Sequence, residues 1–128
     1  MAELVTLDGG RIACDVIGEG PLVVLSHGTG TGRGDYRRLM PLLAGAGYRV
    51  VNMDMRGHGE SGLDRPSVTG KAAISRTDVA EDLLGVVRHF GGPAAIVGHS
   101  LSGGAATIAA GRAAGRGRAA GSRLLYSR

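Results

Sequence analysis

The chain has 128 residues, 43% of them apolar, with one phenylalanine and no tryptophan, so it can form at most one domain, with a core built from Val, Leu, Ile and Ala. Its net charge of +4 is uneven: residues 1–110 hold ten basic and eleven acidic residues, and the last 18 hold five arginines and no acid, so the basicity gives no ground for a specific nucleic-acid function. The single Cys14 excludes an internal disulfide, no run approaches the roughly 18 apolar residues of a membrane span, and the opening MAELVTLDGG lacks the basic flank and apolar stretch of a signal peptide. A cytoplasmic chain without membrane association is expected.

Two short alternating runs, Glu3 to Leu7 and Arg11 to Ile17, flank Asp8-Gly9-Gly10 and predict an N-terminal β-hairpin. Leu22 to Ser26 is a fully apolar strand pattern ending in His27-Gly28. A helix is expected from Asp35 to Ala46, with Leu39, Leu42 and Leu43 on one face and Pro41 as an irregularity. Tyr48 to Met53 is the next strand. Arg56 to Ala73 has no period and five glycines or prolines, which predicts a loop. Val79, Leu83, Val86, Val87 and Phe90 then recur at helical spacing, predicting a helix from Asp78 to Phe90 with Asp78 and Glu81 as a capping box and Gly91-Gly92 as its stop. Gly85 inside it implies close packing against the sheet, since glycine there costs about 1 kcal/mol relative to alanine. Ala94 to Val97 is a strand and Leu101 to Ala110 the start of a helix.

The most informative segment is AAIVGHSLSGGAA, from Ala94 to Ala106. An apolar run stops at Gly98-His99-Ser100-Leu101-Ser102-Gly103 and passes into an alanine-rich stretch, the pattern of a buried strand turning sharply into a helix with a serine at the apex. Such a turn lifts the serine oxygen off the sheet and aims the first N–H groups of the helix at whatever it attacks. A glycine-rich turn whose serine only caps the helix has the same short signature, so the context matters. PLVVLSHGTG and YRVVNMDMRGHGES each also place a β-branched run before a glycine-rich loop. In a parallel sheet all three loops fall on one edge, where open α/β sheets bind ligands.

The order VVLSHG, DMRGHGES, VGHSLSGG resembles the N-terminal part of the α/β-hydrolase fold, in its serine-nucleophile branch, from about Leu4 to Ala110. The resemblance implies an α/β fold: an N-terminal hairpin, then mostly parallel strands with flanking helices, here incomplete. It implies Ser100 as nucleophile, the backbone N–H groups of Thr29 and Leu101 as the oxyanion hole, and a small-molecule ester, amide or related carbonyl substrate. No cofactor and no metal are implied, and no His/Cys/Asp spacing in the sequence matches a zinc site. The family usually has glycine two residues after the nucleophile. Ser102 stands there and is expected to be tolerated with local strain.

The base and the orienting acid follow the nucleophile in this family, yet after Ser100 the chain contains no aspartate, glutamate or histidine. The chain is therefore expected to be a truncated, inactive hydrolase, the alternative being a non-catalytic remnant or small-molecule binding module. His27 and His58 are expected to hold loops by hydrogen bonds, His99 to pack, and His89 to lie on a solvated helix face. Asp54 is expected to fix the Arg56-Gly57-His58-Gly59 loop through backbone N–H groups or Arg56. The glycine-rich segment Gly28 to Gly34 fits neither dinucleotide-binding nor Walker spacing.

The organisation expected is a partial hydrolase domain over residues 1–110 and a low-complexity basic tail over 111–128. The tail reads either as a segment without stable structure or as the product of a shifted reading frame. With no strand beyond Ala94 to Val97, that strand is expected to expose its outer edge and to promote self-association.

Overall fold

The structure is a computed structural model that describes residues 3–7, 10–28, 30–59, 61, 75–115 and 122–126, with side chains described up to residue 112. The hairpin is present as β1 (Glu3–Leu7) and β2 (Gly10–Ile17), paired antiparallel with Val5 opposite Ile12. Then come β3 (Leu22–Ser26), a single 3₁₀ turn (Arg33–Tyr36), α1 (Leu39–Gly45), β4 (Arg49–Met53), α2 (Arg76–His89), β5 (Ala94–Gly98), α3 (Leu101–Gly115) and β6 (Ser122–Tyr126). They form one six-stranded sheet in the order β1-β2-β4-β3-β5-β6. The pairs β3–β4, β3–β5 and β5–β6 are parallel, and β2–β4 is antiparallel.

The unbroken apolar runs of the central strands are explained by burial on both faces. On one face Val24, Val51, Met53 and Ile96 pack with Val79, Leu83 and Val86 of α2 and with Ala105, Ala106 and Ala109 of α3. On the other, Val23, Leu25 and Val50 pack with Met40 and with Tyr36, Leu39 and Leu43 around α1. The small residues of α3 let it approach the sheet closely, which compensates for the scarcity of aromatic side chains.

Several expectations are corrected. The helix expected from Asp35 is split into the 3₁₀ turn and α1, because Pro41 cannot supply an N–H inside a helix and is tolerated only in its first turn. Leu42 does not face the core but is 71% exposed, and Met40 is the buried residue. The N-cap of α2 is Ser75 rather than Asp78: its Oγ accepts the Asp78 N–H at 3.1 Å and donates to the Asp78 carboxylate at 2.8 Å. Gly85 does mark a close approach, since a Cβ there would lie 2.9 Å from the Leu7 side chain of β1.

The largest correction concerns the C-terminal segment. It keeps its basic composition, but α3 runs on to Gly115 and β6 pairs in parallel with β5, with Ala94 opposite Ser122 and a register shift between Ile96 and Val97. The expected open edge of β5 is thus covered, and with it goes the structural ground for self-association through that strand. Poor apolar periodicity concealed β6, whose strand run Ser-Arg-Leu-Leu-Tyr is short and flanked by Gly121 and Ser127. Residues 62–74, most of the loop expected after Arg56, lie outside the described residues.

Candidate active site

Parallel pairing puts the ends of three strands side by side: Ser26 is opposite both Met53 and Gly98. The segments that follow, beginning at His27, Asp54 and His99, therefore emerge together. Ser100 sits at the sharpest of these turns. It is exposed, and with φ 58° it is the one non-glycine residue of the described set in the left-handed region. That conformation costs about 1–2 kcal/mol for an L-residue and is sustained only by its surroundings. Gly98 permits it, because a Cβ there would collide with the backbone oxygen of Ser102. Gly28 does the same from the facing loop: a Cβ on it would lie 3.3 Å from Ser100 Cβ and 2.9 Å from His99 Nδ1. The segment after β3 thus lies directly against the serine.

Leu101 opens α3, so its N–H is among the first-turn donors that a helix leaves without an intrahelical partner. Thr29, the other expected donor, lies outside the described residues. Its neighbours are firmly held. The Gly28 carbonyl accepts from Thr31 Oγ1 at 2.9 Å and lies 2.6 Å from His27 Nδ1, and the Gly30 N–H donates to His58 Nε2 at 3.1 Å.

The histidines occupy structural positions. Buried His27 accepts the Met55 N–H at Nε2 (2.9 Å), which assigns its proton to Nδ1 and makes the Gly28 carbonyl its acceptor. Burial holds its pKa below the usual 6.5, an effect that its hydrogen bond to Gly28 opposes without overcoming. His58 bridges the Gly30 N–H and the Arg56 carbonyl, the latter at 3.1 Å from Nδ1. His89 lies on the exposed face of α2, edge-on to Phe90. His99 is exposed, with its Nδ1 side lying against Gly28.

Two ionic assemblies support this edge. The Asp54 carboxylate does lie against Gly59 of the Arg56–Gly59 loop, where a Cβ would come within 2.3 Å of it, but of the two means expected the arginine is Arg33 and not Arg56. That carboxylate accepts the Arg33 backbone N–H at 3.0 Å and pairs with Arg33 Nε at 2.8 Å, while Asp15 takes the other arm of Arg33 at 2.8 Å. Arg56 turns instead to α2, where its Nε and Nη2 grip both carboxylate oxygens of Asp82 at 2.7 Å each and Nη2 reaches the Asp78 carbonyl at 3.2 Å. Burial alone would lower the Arg56 pKa, but Asp82 outweighs it and the net shift is upward. The signal for this pairing was present: Asp78 and Asp82, four apart, share a helix with a buried apolar stripe, and buried carboxylates require a cation.

Ser102 is not merely tolerated. Fully buried, its hydroxyl donates to the His27 carbonyl at 2.6 Å and lies 2.8 Å from Ser26 Oγ, which tie the first turn of α3 to the end of β3. Tyr36 extends the link by donating to the Ser26 carbonyl at 3.1 Å.

A sharp strand–turn–helix serine, a facing His-Gly loop and this strand order are accompanied by a direct match: residues 23–127 fit the model of the alpha/beta hydrolase family. The chain belongs to that family. It is 42% identical over 82 residues to epoxide hydrolase B of Mycobacterium tuberculosis, covering 63% of this chain and 22% of that protein. It is 31% identical over 98 residues to proline iminopeptidase PfmaB of Pestalotiopsis fici, covering 73% and 32%. Among solved structures, the epoxide hydrolase of an endophytic Streptomyces matches with a TM-score of 0.75 and 36% identity, over 86% of this chain and 32% of that one. The chain thus spans between about a fifth and a third of the length of these alpha/beta hydrolases. No helix among the described residues is long and apolar enough to cross a membrane.

Proposed function

We propose that these residues form the nucleophile-bearing part of a serine hydrolase that acts on a small ester, amide or related carbonyl compound. The observation that carries the reading is Ser100 itself, exposed and held at φ 58° at the start of α3 with Gly28 packed against it. In the proposed reaction Ser100 Oγ attacks the carbonyl carbon, and the oxygen that becomes negative accepts from the N–H groups of Leu101 and Thr29. The leaving group departs to give acyl-Ser100, and water then releases the acid. Each oxyanion donor is worth about 3 kcal/mol of transition-state stabilisation.

Several relatives bear the name epoxide hydrolase, so ring opening is the natural rival. The chemistry of serine argues against it. A hydroxyl that opened an epoxide would leave an ether on Ser100, with no carbonyl for water to attack, and the enzyme would be alkylated permanently. A carbonyl substrate leaves a hydrolysable ester instead.

The base and the acid are not supplied by residues after Ser100, and both ring nitrogens of His27 and His58 are engaged by the backbone. Residues 1–128 alone are accordingly proposed to be inactive in turnover. The second reading, a binding module that keeps the site's edge without its chemistry, is favoured by the engagement of both ring nitrogens of His27 and His58 away from Ser100. Treatment with a fluorophosphonate, followed by peptide mass mapping, separates the two. An oxyanion hole alone retains a rate advantage of about 10³–10⁴, so one adduct should form at Ser100 faster than in the urea-unfolded chain, and Ser100→Ala should abolish it. Labelling no faster than in the unfolded chain, or persisting in Ser100→Ala, would refute the nucleophile assignment.

A further inference from the structure

Ser102 stands where the first turn of α3 meets the segment that leaves β3. Its backbone N–H donates to the His99 carbonyl at 3.1 Å, and its Oγ donates to the His27 carbonyl at 2.6 Å. Those carbonyls belong to the residues immediately before Ser100 and immediately before Gly28. Gly28 is in turn packed on the serine, since a Cβ on it would lie 3.3 Å from Ser100 Cβ. A serine hydroxyl has one proton, and Ser102 gives it to His27. The 2.8 Å contact with Ser26 Oγ is therefore a bond that Ser26 donates and Ser102 accepts. Ser26, His27 and Ser102 are all 0% exposed, so bulk water does not compete for these bonds.

We propose that Ser102 is a positioning residue for Ser100: bonded through its N–H to the turn and through its hydroxyl to the facing segment, it holds Gly28 against the serine. For its consequence in reactivity the proposal rests on the reading of Ser100 as the nucleophile. The glycine usual at this place in the family would keep the N–H bond and lose the other. Apolar packing would still press the two segments together, but that attraction is non-directional, whereas a hydrogen bond fixes both a distance and an angle.

Ser26 serves differently. Its hydroxyl orients Ser102 Oγ. If Ser102 lost its own hydroxyl, a new bond from Ser26 to the His27 carbonyl would join neighbours within one segment and leave α3 untethered. Replacing either serine by alanine thus removes a buried hydrogen bond of similar worth. Only Ser102 carries the link between the segments, and this separates positioning from stability.

The test makes two measurements on the isotopically labelled 128-residue chain. In nuclear magnetic resonance, the Gly28 Hα that takes the direction of the missing Cβ should give a nuclear Overhauser cross-peak to the Ser100 Hβ protons. In modification of Ser100 by a fluorophosphonate, saturation kinetics separate the maximal rate, kinact, from probe affinity, KI. Ser102→Gly and Ser102→Ala should lose the cross-peak and lower kinact about tenfold with KI little changed, short of the roughly hundredfold that a 1 Å displacement can cost. Ser26→Ala should keep the cross-peak and lose less of kinact than either Ser102 variant, although urea unfolding shows a similar loss of stability. If Ser102→Ala does not fold, Ser102→Gly decides the matter. A cross-peak that persists in the folded Ser102 variants, a kinact that they leave unchanged, or a Ser26→Ala that loses as much as they do would overturn the proposal. A wild-type Ser100 that fails to label, while the cross-peak still depends on Ser102, counts against the hydrolase reading alone.

Discussion

Replacing Asp82 by alanine removes the carboxylate that grips Arg56 in two places at 2.7 Å and leaves a guanidinium that is 3% exposed. Among the described residues, a carboxylate oxygen of Asp78 lies 3.8 Å from Nη1, beyond good hydrogen-bond geometry. Breaking a buried pair on one side typically costs about 3–5 kcal/mol, because the surviving charge is stranded. A domain of this size has about 5–15 kcal/mol in total. With an unfolding entropy of about 2.1 cal/mol/K per residue, the loss lowers Tm by roughly 11–19 °C. The decisive control is the double replacement Arg56→Met with Asp82→Leu. It removes both charges together and should recover most of the loss, since buried pairs exchanged for apolar residues of similar volume are often close to neutral. Urea and thermal unfolding followed by circular dichroism measure all three chains. The reasoning fails if Asp82→Ala costs less than about 1 kcal/mol, or if the double variant is as unstable as the single one.

Two further outcomes follow from single residues. Ser100→Gly should stabilise the chain by about 1 kcal/mol, because glycine adopts φ 58° without strain, whereas Ser100→Ala keeps the strain and should be close to neutral; equal unfolding midpoints for the two would refute stored strain at Ser100. His27 is buried with its pKa held below the usual 6.5, so the unfolded chain takes up a proton first as pH falls. Stability contributed by His27 is present above about pH 6.5 and declines below it, by at most about 1.4 kcal/mol per pH unit, until the folded ring itself protonates. Urea titrations from pH 8 to 5 should show a steeper fall in the wild type than in His27→Gln, and parallel curves would overturn the assignment.

The sequence was most legible where one physical demand dominated. Runs such as Leu22 to Ser26 and Ala94 to Val97 could only be strands covered on both faces, and the Gly98-His99-Ser100 turn announced its geometry because glycine was needed where the backbone crowds. Elements governed by partners distant in sequence were less legible. Nothing near Asp54 says that it will choose Arg33, 21 residues earlier, over Arg56, two residues later, because the choice depends on how the loop after β3 folds back over β4. Leu42 was misplaced because a short helix interrupted early by Pro41 gives too few turns to fix its buried face. The strand β6 was obscured for a related reason: its partner β5 supplies the order that its own sequence does not.

Ser102 shows how a departure from a family pattern can strengthen the arrangement it was expected to strain. A glycine at that place would let α3 approach β3 but could offer no side-chain bond. The serine is small enough to be fully buried there, and its hydroxyl joins the end of β3 to the first turn of α3 through the His27 carbonyl and Ser26 Oγ. Those two ends carry the two halves of the proposed oxyanion hole: the loop that begins at His27, and the N–H of Leu101. Their separation must be held to a fraction of an ångström for both donors to reach one oxygen. Two buried hydroxyls, bonded to each other and to a backbone carbonyl, fix that separation more directly than apolar contact, which resists sliding only weakly. The strain at Ser100 and the clasp at Ser102 are thus complementary, one raising the proposed nucleophile and the other setting the distance across which it would work.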